Sequence, residues 1–596
     1  MLQLAKIRFA LLLLLACCLV ATHVVATSLP YADAGLTDRE AAAHLLNRFT
    51  FGPRPGQIDR VIEIGLNNWF RQQIESENST GGLDLRLAQL GITNMTTFQI
   101  LSRHPSNGSL RSMAIRDGVV LENIADLEAD QLKTKLQGYA KEHGFRSQSL
   151  LMQELKERKI LRAVYTDNQL VEVLTDFWFN HFNVSTTHGQ AKPWIPSYEE
   201  VAIRPHVLGR FYNMLEATAK HPAMLFYLDN HQSNAEESAT AKAKRKRRRT
   251  RKSLLNKTSS GVAKSEENMM SRQAIITKPN KKQGINENYA RELLELHTLG
   301  VNSGYTQADV VATARALTGW KVNGKYLNRI KKDRNSDNAI NSFAFAKNSH
   351  DINPKTVLGQ RLSPNRGIAD GKQVLDIVAQ HPSTARHIAR KFSVRFVTED
   401  PTEVYINRLA QIFLSSSGDL RQMIEGIVTS PEFWAEANRY RKTKSPFRFV
   451  VSALRITAAE IKSTRQLSNW IARIGEPLYA CQPPTGYADT GGYWINSGSV
   501  LNRTNFGMDL FTGKIRGVRV KLAEDSPKQL LSERIQSLCL SLFPSRDTEK
   551  MWRQIGQILL ASSPELKPGH KQTQARRQQT AQIAGLIIGS PRFQVY

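Results

Sequence analysis

The sequence predicts a mainly α-helical protein: one large composite helical domain with a small β-hairpin or sheet and one disordered basic insertion. Apolar residues recur at helical spacing in many segments, whereas strand-forming runs are sparse. A third observation is a basic, polar stretch between residues 233 and 285 that is poor in aromatic residues. The chain is 41% hydrophobic and 22% charged, a globular composition that excludes wholesale disorder and a coiled-coil rod.

The first 26 residues have the features of a signal peptide. Two basic residues precede an unbroken apolar run over residues 9–20, and Ala26 ends a stretch that suits signal peptidase. The run is short for a membrane span. We therefore expect an exported protein, periplasmic or extracellular. After cleavage only Cys481 and Cys539 remain, and sequence leaves open whether they form a disulfide or two buried thiols.

The remaining chain is divided by the basic insertion. The predicted parts are an N-terminal helical part (27–232), the insertion (233–285), a second helical part (286–510) and a C-terminal helical part (511–596). Thr37 and Glu40 form a capping box that opens the first helix. Asn323 and Gly324 favour a type I′ turn, so residues 320–322 and 325–327 are predicted to form a hairpin, with 343–345 as a further edge.

The net charge of +28 is concentrated in the insertion. Nearly half of it lies in residues 242–282, and the densest run is 242–252. Behind a signal peptide such a run favours an anionic glycan or lipid surface as partner. Because no nucleic-acid-binding module accompanies it, we do not expect a nucleic-acid partner. A solvated loop without any partner is the alternative.

Well-marked catalytic motifs are absent from the sequence. There is no P-loop, GxGxxG, HExxH, GxSxG or CxxC pattern. The candidates for chemistry are therefore polar residues that lie within otherwise apolar helices.

The segment around residue 180 combines an apolar and a polar stripe. At 100° per residue His181 shares the apolar stripe with Trp178, while Asp176, Asn180 and Asn183 share another. His181 is a candidate acid or base, and the alternative is a hydrogen-bonded core histidine.

A second helix is predicted over residues 286–300. Its carboxylates Glu292 and Glu295 are neighbours at i, i+3 and would share a proton or hold a hard cation. The alternative is a solvent-facing pair with Arg291. His297 lies on the opposite face, so a site that uses it together with Glu292 must draw on other helices.

Further candidates follow from single residues. His350 and Asp351 are adjacent, as in metal-binding phosphohydrolases, and Asp229 lies at a helix end; these three are the predicted metal ligands. Arg204 and Arg315 are candidates for binding an anionic group, although surface ion pairs are the more common use of arginine. An adjacent His-Asp pair also arises by chance in long chains.

An aromatic loop follows near residue 490. Tyr487, Tyr493 and Trp494 lie close together among glycine and proline residues. Such a loop suits stacking on sugar rings, and it would equally fill the edge of a core.

Several segments together resemble the bacterial domain-of-unknown-function 1800 family, in order and across the mature chain. They are AAHLLNRFTFG (42–52), DFWFNHFNVS (176–185), HPAML (221–225), NENYARELLELHTLG (286–300), ARALTGW (314–320), HD (350–351), HPSTA (381–385) and PTGY (484–487). The resemblance implies a large exported bacterial protein without assigned activity, often encoded beside an exported family that resembles alkaline phosphatases and sulfatases. Because the family usually has a short connector where the insertion stands, Asp229 and Asn230 should lie near Asn288 and Glu292.

Two functional hypotheses follow. The first is an exported envelope or extracellular protein of unassigned activity that acts as a metal-assisted hydrolase on glycan or phosphoester groups, with a divalent metal as cofactor. Its catalytic residues would be Glu292, Glu295, His181 and His297, its metal ligands Asp229, His350 and Asp351, and its anion clamp Arg204 or Arg315. The second is a noncatalytic envelope scaffold that partners an exported phosphatase- or sulfatase-like protein.

Overall fold

The computed structural model describes residues 29–75, 82–120, 129–235, 284–332, 341–521, 530–544, 549–562 and 570–596. The predicted signal peptide, residues 1–26, and the basic run 242–252 lie outside the described residues. Within the described ranges the chain is mainly α-helical and carries three small two-stranded sheets, which confirms the predicted fold class.

The helices before the insertion begin with one that the sequence marks clearly. Thr37 caps it: the amide of Glu40 donates to the Thr37 hydroxyl, and the amide of Thr37 donates to the Glu40 carboxylate at 2.9 Å. The α-helices in this part are Asp38–Phe49, Gln57–Ile64, Leu66–Glu75, Leu83–Leu87, Thr97–Arg103, Asn107–Arg116, Ala129–Glu142, Gln148–Tyr165, Gln169–His181, Ile195–Ser197, Phe211–Lys220 and Pro222–Tyr227. A π-helix covers Tyr198–Ile203, and short 3₁₀ turns cover Lys192–Trp194, Arg204–His206 and Asn230–Gln232.

The helices after the insertion start with a combined element. An α-helical turn, Asn288–Glu292, continues into a π-helical turn, Leu293–His297. The other α-helices are Gln307–Ala316, Gly324–Lys332, Ile368–Ala379, Pro382–Phe396, Glu403–Ser415, Leu420–Val428, Pro431–Trp434, Pro446–Ile456, Arg465–Ile474, Ser497–Phe511, Leu531–Leu542, Glu549–Ser562, His570–Gly589 and Pro591–Gln594. Short 3₁₀ turns cover Lys347–Ser349, Glu436–Asn438 and Gly491–Trp494.

The strands form three antiparallel pairs. They are Trp320–Val322 with Phe343–Phe345, Lys355–Val357 with Gln360–Leu362, and Glu460–Ile461 with Val518–Arg519. Each pair is a local ribbon on a helical body.

The predicted hairpin at Asn323 and Gly324 is wrong in its second strand. The strand Trp320–Val322 pairs with Phe343–Phe345 instead, and the residues after Asn323 form the helix Gly324–Lys332. Asn323 caps this helix, because its side chain accepts from the amide of Lys325 at 3.0 Å and its carbonyl accepts from the amide of Leu327 at 3.1 Å. An asparagine before glycine can thus start a helix as readily as a turn.

One hydrophobic core connects the ends of the chain. The same cluster of buried residues contains Leu29 and Phe593. In it the ring of His44 hydrogen-bonds the carbonyl of Phe433 at 2.8 Å, and Arg455 Nε donates to the carbonyl of Gly52 at 2.6 Å. These contacts join segments that are distant in sequence.

The helices Ser497–Phe511 and His570–Gly589 cross at two glycines. A Cβ atom at Gly507 would lie 2.5 Å from the carbonyl oxygen of Gly585, and a Cβ at Gly585 would lie 2.8 Å from Met508 Cα. Since real side chains do not approach backbone so closely, only glycine allows these two helices to pack backbone against backbone.

Both cysteines of the predicted mature chain are buried free thiols. Cys481 and Cys539 are not bridged. In the described ranges, no helix combines the length and apolar composition that a membrane span requires.

The two ends of the insertion meet on the surface of the body. The amide of Asn234 donates to the carbonyl of Gly284 at 3.2 Å, and the amide of Asn286 donates to the Ser233 hydroxyl at 3.2 Å. The described segments on either side of residues 236–283 are therefore joined by direct hydrogen bonds.

Replacing residues 237–282 by a short Gly-Ser linker should leave the melting temperature unchanged or slightly higher. Shortening a loop from roughly fifty residues to about six stabilises the folded state by up to about 2 kcal/mol through loop-closure entropy. Differential scanning calorimetry measures the effect, with the intact chain as reference. A lower melting temperature would show that the insertion contributes contacts to the folded body.

Candidate functional site

The helix Gln169–His181 presents two faces, as its sequence predicts. Phe177, Trp178 and His181 are buried in the core. Asp176 and Asn180 are half-buried on the other face, which lines a cavity. The polar stripe of this helix lines the cavity together with Phe177 and Phe179, whereas His181 does not.

Asparagines hold a loop against this polar face. Asn180 Nδ2 donates to the carbonyl of Tyr487 at 2.8 Å, and the amide of Tyr487 donates to Asn180 Oδ1 at 2.7 Å. Asn183 Nδ2 donates to the carbonyls of Cys481 and Pro483. Gly486 has a φ of 71°, and a Cβ there would lie 2.3 Å from the carbonyl oxygen of Asn180, so the loop reaches the helix only with glycine at this position.

The cavity between the helix and this loop has a volume of about 90 Å³ and is partly open to solvent. Its wall combines three kinds of side chain. They are the acids Asp176, Glu476 and Asp489, the cations Lys159, Arg395 and Lys442, and the aromatic residues Phe177, Phe179, Tyr479, Tyr487, Trp494 and Tyr596. Such a mixture suits a polar ligand that carries charge.

Lys159 and Asp176 form an ion pair in the wall. Lys159 Nζ lies 2.7 Å from Asp176 Oδ1, and the lysine side chain is 11% exposed. Burial lowers the pKa of Lys159, but the carboxylates of Asp176, Glu199 and Glu476 outweigh it, so the pKa is raised overall. The lysine is therefore a permanent positive charge beside the cavity.

Glu476 is the acid of this wall whose proton affinity is most altered. Burial, and then the negative charge of Asp176, raise the pKa of Glu476 to about 7. Its Oε2 accepts from the amide of Phe447 at 2.7 Å, which also satisfies an end of the helix Pro446–Ile456. The carboxyl is thus fixed in position and exchanges its proton near neutral pH.

The predicted pair Glu292 and Glu295 lies in a different region. Both carboxylates are half-buried, and Arg291 Nη1 lies 3.5 Å from Glu295 Oε1. Burial and the charge of Glu295 raise the pKa of Glu292. Burial, and then the charges of Cys481 and Glu292, raise the pKa of Tyr227, whose hydroxyl donates to the carbonyl of Gln482 in the cavity loop. The pair is near the loop and outside the cavity wall.

The expected proximity of Asp229 to this helix is present. Asn286 Nδ2 donates to the carbonyl of Asp229 at 3.1 Å, and Asn288 Nδ2 lies 3.5 Å from the carbonyl of Leu228. The Asp229 carboxylate itself accepts from Gln232 at 2.9 Å. The backbone of this segment, more than the acid, makes the contact.

Three histidines lie together in the core. His181 Nε2 is 3.1 Å from the carbonyl of His297, and the ring centroids of His181 and His387 are 6.1 Å apart. Burial lowers the pKa of His297 to about 3 and that of His387 to about 4, and it lowers the pKa of His181 well below its ordinary value. The rings are neutral at physiological pH and form part of the packing.

His350 and Asp351 face different partners. His350 Nε2 lies 3.2 Å from Asp370 Oδ2, and that same oxygen accepts from Lys355 Nζ at 2.8 Å. The side chains of His350, Lys355 and Asp370 are at most 1% exposed. Asp351 instead makes a two-point ion pair with Arg315, at 2.9 and 3.3 Å.

Arg204 is likewise engaged by acids. Its two terminal nitrogens bind both oxygens of Glu172, at 2.6 and 3.0 Å, and its Nε lies 3.3 Å from Glu200. An anionic ligand at either predicted clamp would have to displace a carboxylate of the protein.

The predicted site residues therefore occupy four separate places in the fold. Among the described residues, no group of three or more His, Cys, Asp or Glu side chains has the arrangement that could hold a metal ion. The cavity residues that sequence reasoning missed are Lys159, Glu476, Arg395, Lys442 and Tyr596. The signal that was available is the polar stripe of Asp176, Asn180 and Asn183.

These features define a class of protein: a large helical body with a charged, aromatic-lined cavity between a helix and a glycine-anchored loop. A family model described as "Protein of unknown function (DUF1800)" matches residues 44–595, and the chain belongs to this family. The family resemblance of the sequence motifs is thereby confirmed. Neither the curated proteins nor the solved structures contain a significant match.

Proposed function

We propose that the protein is an exported hydrolase of the cell envelope or extracellular space that cleaves glycosidic bonds in this cavity, with Glu476 as the proton donor. One observation carries the proposal. The Glu476 carboxyl, with a pKa of about 7, lines a partly open cavity together with the charged pair of Lys159 and Asp176.

The chemistry follows from the two carboxyl groups. Cleavage of a glycosidic bond needs a proton for the leaving oxygen, and an acid is most effective when its pKa is close to the working pH. Glu476 meets that condition. Asp176, paired with Lys159 at 2.7 Å, supplies the second carboxylate, which would either activate water or stabilise the positive charge of the transition state.

The cavity has aromatic side chains that support a sugar as substrate. The rings of Tyr487 and Trp494 line it with centroids 5.6 Å apart, and Tyr493 beside them is 58% exposed. Aromatic faces at a cavity mouth offer the flat apolar surface that the underside of a sugar ring packs against.

Glu476→Gln is expected to lower the hydrolysis rate at least about 100-fold, because removal of a general acid costs that much or more. Glutamine keeps an oxygen for the amide of Phe447, so the helix cap survives. Reducing-end release from neutral and acidic polysaccharides measures the rate, and p-nitrophenyl phosphate tests phosphoesters. The rate should fall as the pH rises through about 7, because Glu476 then loses the proton that it must donate to the leaving oxygen.

The matched control is Glu425→Gln. Glu425 is another acid whose pKa is raised, chiefly by desolvation, but its residue is exposed and lies on the helix Leu420–Val428 outside the cavity. Equal rates for the two variants would overturn the role of Glu476. EDTA is added in parallel, because the metal-assisted version, with Glu292 and Glu295 as cation ligands, requires that chelation abolish activity.

The alternative function is a noncatalytic envelope scaffold that partners an exported phosphatase- or sulfatase-like protein. It is favoured by the internal ion pairs of Arg204 and Arg315, which join elements of the fold. Lack of hydrolysis on every substrate, with co-purification of a phosphatase-like protein, would support it.

The basic run 242–252 contributes a second proposed contact. We expect the variant lacking residues 237–282 to lose binding to vesicles that contain anionic phospholipid, at low salt, because the run supplies a dense positive charge. Undiminished binding would assign the contact to the folded body.

A further inference from the structure

One end of the cavity is built from cations. Arg48, Arg395, Lys442 and Arg448 surround Tyr596, and these five residues are called the cationic end. The guanidinium carbons of Arg448 and Arg48 lie 3.9 and 5.3 Å from the centre of the Tyr596 ring. Arg395, Lys442 and Tyr596 line the cavity itself.

Few acids compensate this charge. In the described part of the chain, the ion pair that reaches these four cations is between Lys442 Nζ and Glu399 Oε1, at 3.8 Å. That oxygen also accepts from the amide of Gly491 at 2.9 Å, and the Glu399 side chain is one-third exposed. Arg48 and Arg448 instead donate to backbone carbonyls, which carry no net charge.

The excess of positive charge appears in the proton affinities. Burial lowers the pKa of Arg448 to about 9 and that of Arg48 to about 10. Burial acts in the opposite direction on Tyr596, but the surrounding cations outweigh it and lower the pKa of its phenol to about 7. A negative charge placed here would therefore be strongly stabilised.

Within the described ranges, five buried donors of the cationic end have no hydrogen-bond partner: Arg48 Nε and Nη1, Arg448 Nη1, Arg395 Nη2 and Lys442 Nζ. Two of them, Lys442 Nζ and Arg395 Nη2, belong to side chains that line the cavity. The Lys442 side chain is 3% exposed. Because a buried donor without an acceptor is unfavourable, the presence of these two donors at a cavity wall points to a ligand acceptor.

We propose that the cationic end binds the acidic group of the ligand, a carboxylate, sulfate or phosphate, so that the substrate is an acidic glycan. That the acidic group is part of a glycan rests on the proposed function above; the anion site itself rests on the cavity, the cluster and the two unpartnered donors.

The size of the cavity agrees with one acidic group. The volume of about 90 Å³ leaves room for an oxyanion beside Lys442 and Arg395, and the opening of the cavity leaves room for the rest of the ligand. The sugar ring would then lie toward Tyr487 and Trp494, with its acidic substituent on Lys442 and Arg395.

Calorimetric titration with inorganic sulfate, phosphate and glucuronic acid tests the site. Wild-type protein should bind all three, and Lys442→Met should weaken sulfate at least about 30-fold, the effect of truncating one partner of a buried charged contact. The exposed Lys462→Met is the control and should bind as wild type. Equal affinities for the two lysine variants would overturn the site.

A spectroscopic signal covers the case in which Lys442→Met does not fold. At about pH 7.5 a phenol with a pKa of about 7 is largely ionised, so tyrosinate absorbance should fall when sulfate enters and raises the pKa of Tyr596. Tyr596→Phe should remove this change. Sulfate that leaves the tyrosinate absorbance of wild type unaltered would contradict the site.

The same variants separate this inference from the proposed hydrolysis. Glu476→Gln should bind sulfate at least as tightly as wild type, because it removes a negative charge from the same cavity. Anion binding by wild type without hydrolysis of any substrate would contradict the proposed hydrolase and leave the anion site standing. Cleavage of neutral glycans without sulfate binding would contradict the anion site at the cationic end and leave the proposed hydrolysis standing. Tighter binding of a glucuronate disaccharide than of sulfate identifies the glycan as the source of the anion, and the reverse order identifies a free anion.

Discussion

Replacing Asp370 by alanine is expected to lower the free energy of unfolding by about 3–5 kcal/mol. The carboxylate of Asp370 binds Lys355 Nζ at 2.8 Å and faces His350 Nε2 at 3.2 Å, in a fully buried place. Its removal leaves the ammonium of Lys355 inside the protein with backbone carbonyls and the more distant Asp351 carboxylate, at 3.7 Å, as partners. Chemical denaturation and the melting temperature measure the loss.

Asp376→Ala provides the comparison for this prediction. Asp376 lies on the same helix, Ile368–Ala379, and is exposed, so its replacement should change stability by no more than about 0.5 kcal/mol. The double variant Lys355→Met with Asp370→Ala should recover part of the loss, because no uncompensated ammonium remains. A loss of unfolding free energy below about 1 kcal/mol for Asp370→Ala would show that this network stabilises the protein no more than a surface ion pair does.

Acidification is expected to destabilise the protein steeply between pH of about 6.5 and 4. Burial lowers the pKa of His221 and His297 to about 3 and that of His387 to about 4, whereas the same residues in the unfolded chain titrate near 6.5. Below about pH 6.5 these histidines therefore bind protons in the unfolded chain, whereas in the folded protein they stay neutral. Each histidine removes about 1.4 kcal/mol of stability per pH unit.

Glu476 partly offsets this loss of stability on acidification. Its pKa of about 7 lies above the ordinary value of 4.5, so the folded protein gains a proton there as the pH falls from 7 to 4.5. Three histidines outnumber one glutamate, and stability still falls. Melting temperatures in buffers between about pH 7 and 5 check this result. His297→Asn should flatten the slope, whereas the half-buried His143→Asn should not; a flat wild-type profile would show that these rings accept protons in the folded state.

Local patterns in the sequence predicted much of the fold. The capping box of Thr37 and Glu40 and the two stripes around Trp178 depend on residues within one helical turn or face, and the structure contains both. The sequence Asn323-Gly324 satisfies two local structures equally well. Packing of Tyr326 and Leu327 against the core selected the helix, and that contact is not visible in the local sequence.

The site was less predictable because its chemistry arises from distant segments. The pKa of Glu476 is raised where burial and the charge of Asp176 act on it together, and these two residues are three hundred positions apart. Conversely, His181 and Arg204 were predicted as site residues from the sequence. In the structure His181 is packed in the core, and Arg204 forms an internal ion pair. Residue type alone does not distinguish a reactive group from one that holds helices together.

The amide of Asn180 has a consequence for how the cavity is constructed. The side-chain amide both donates to and accepts from the backbone of Tyr487, as the backbone of a neighbouring β-strand would. Aspartate cannot donate in this way, and glutamine is one carbon too long. The loop is therefore joined to the helix by the pair of hydrogen bonds that a neighbouring strand would make, which fixes the position of Tyr487 relative to the helix.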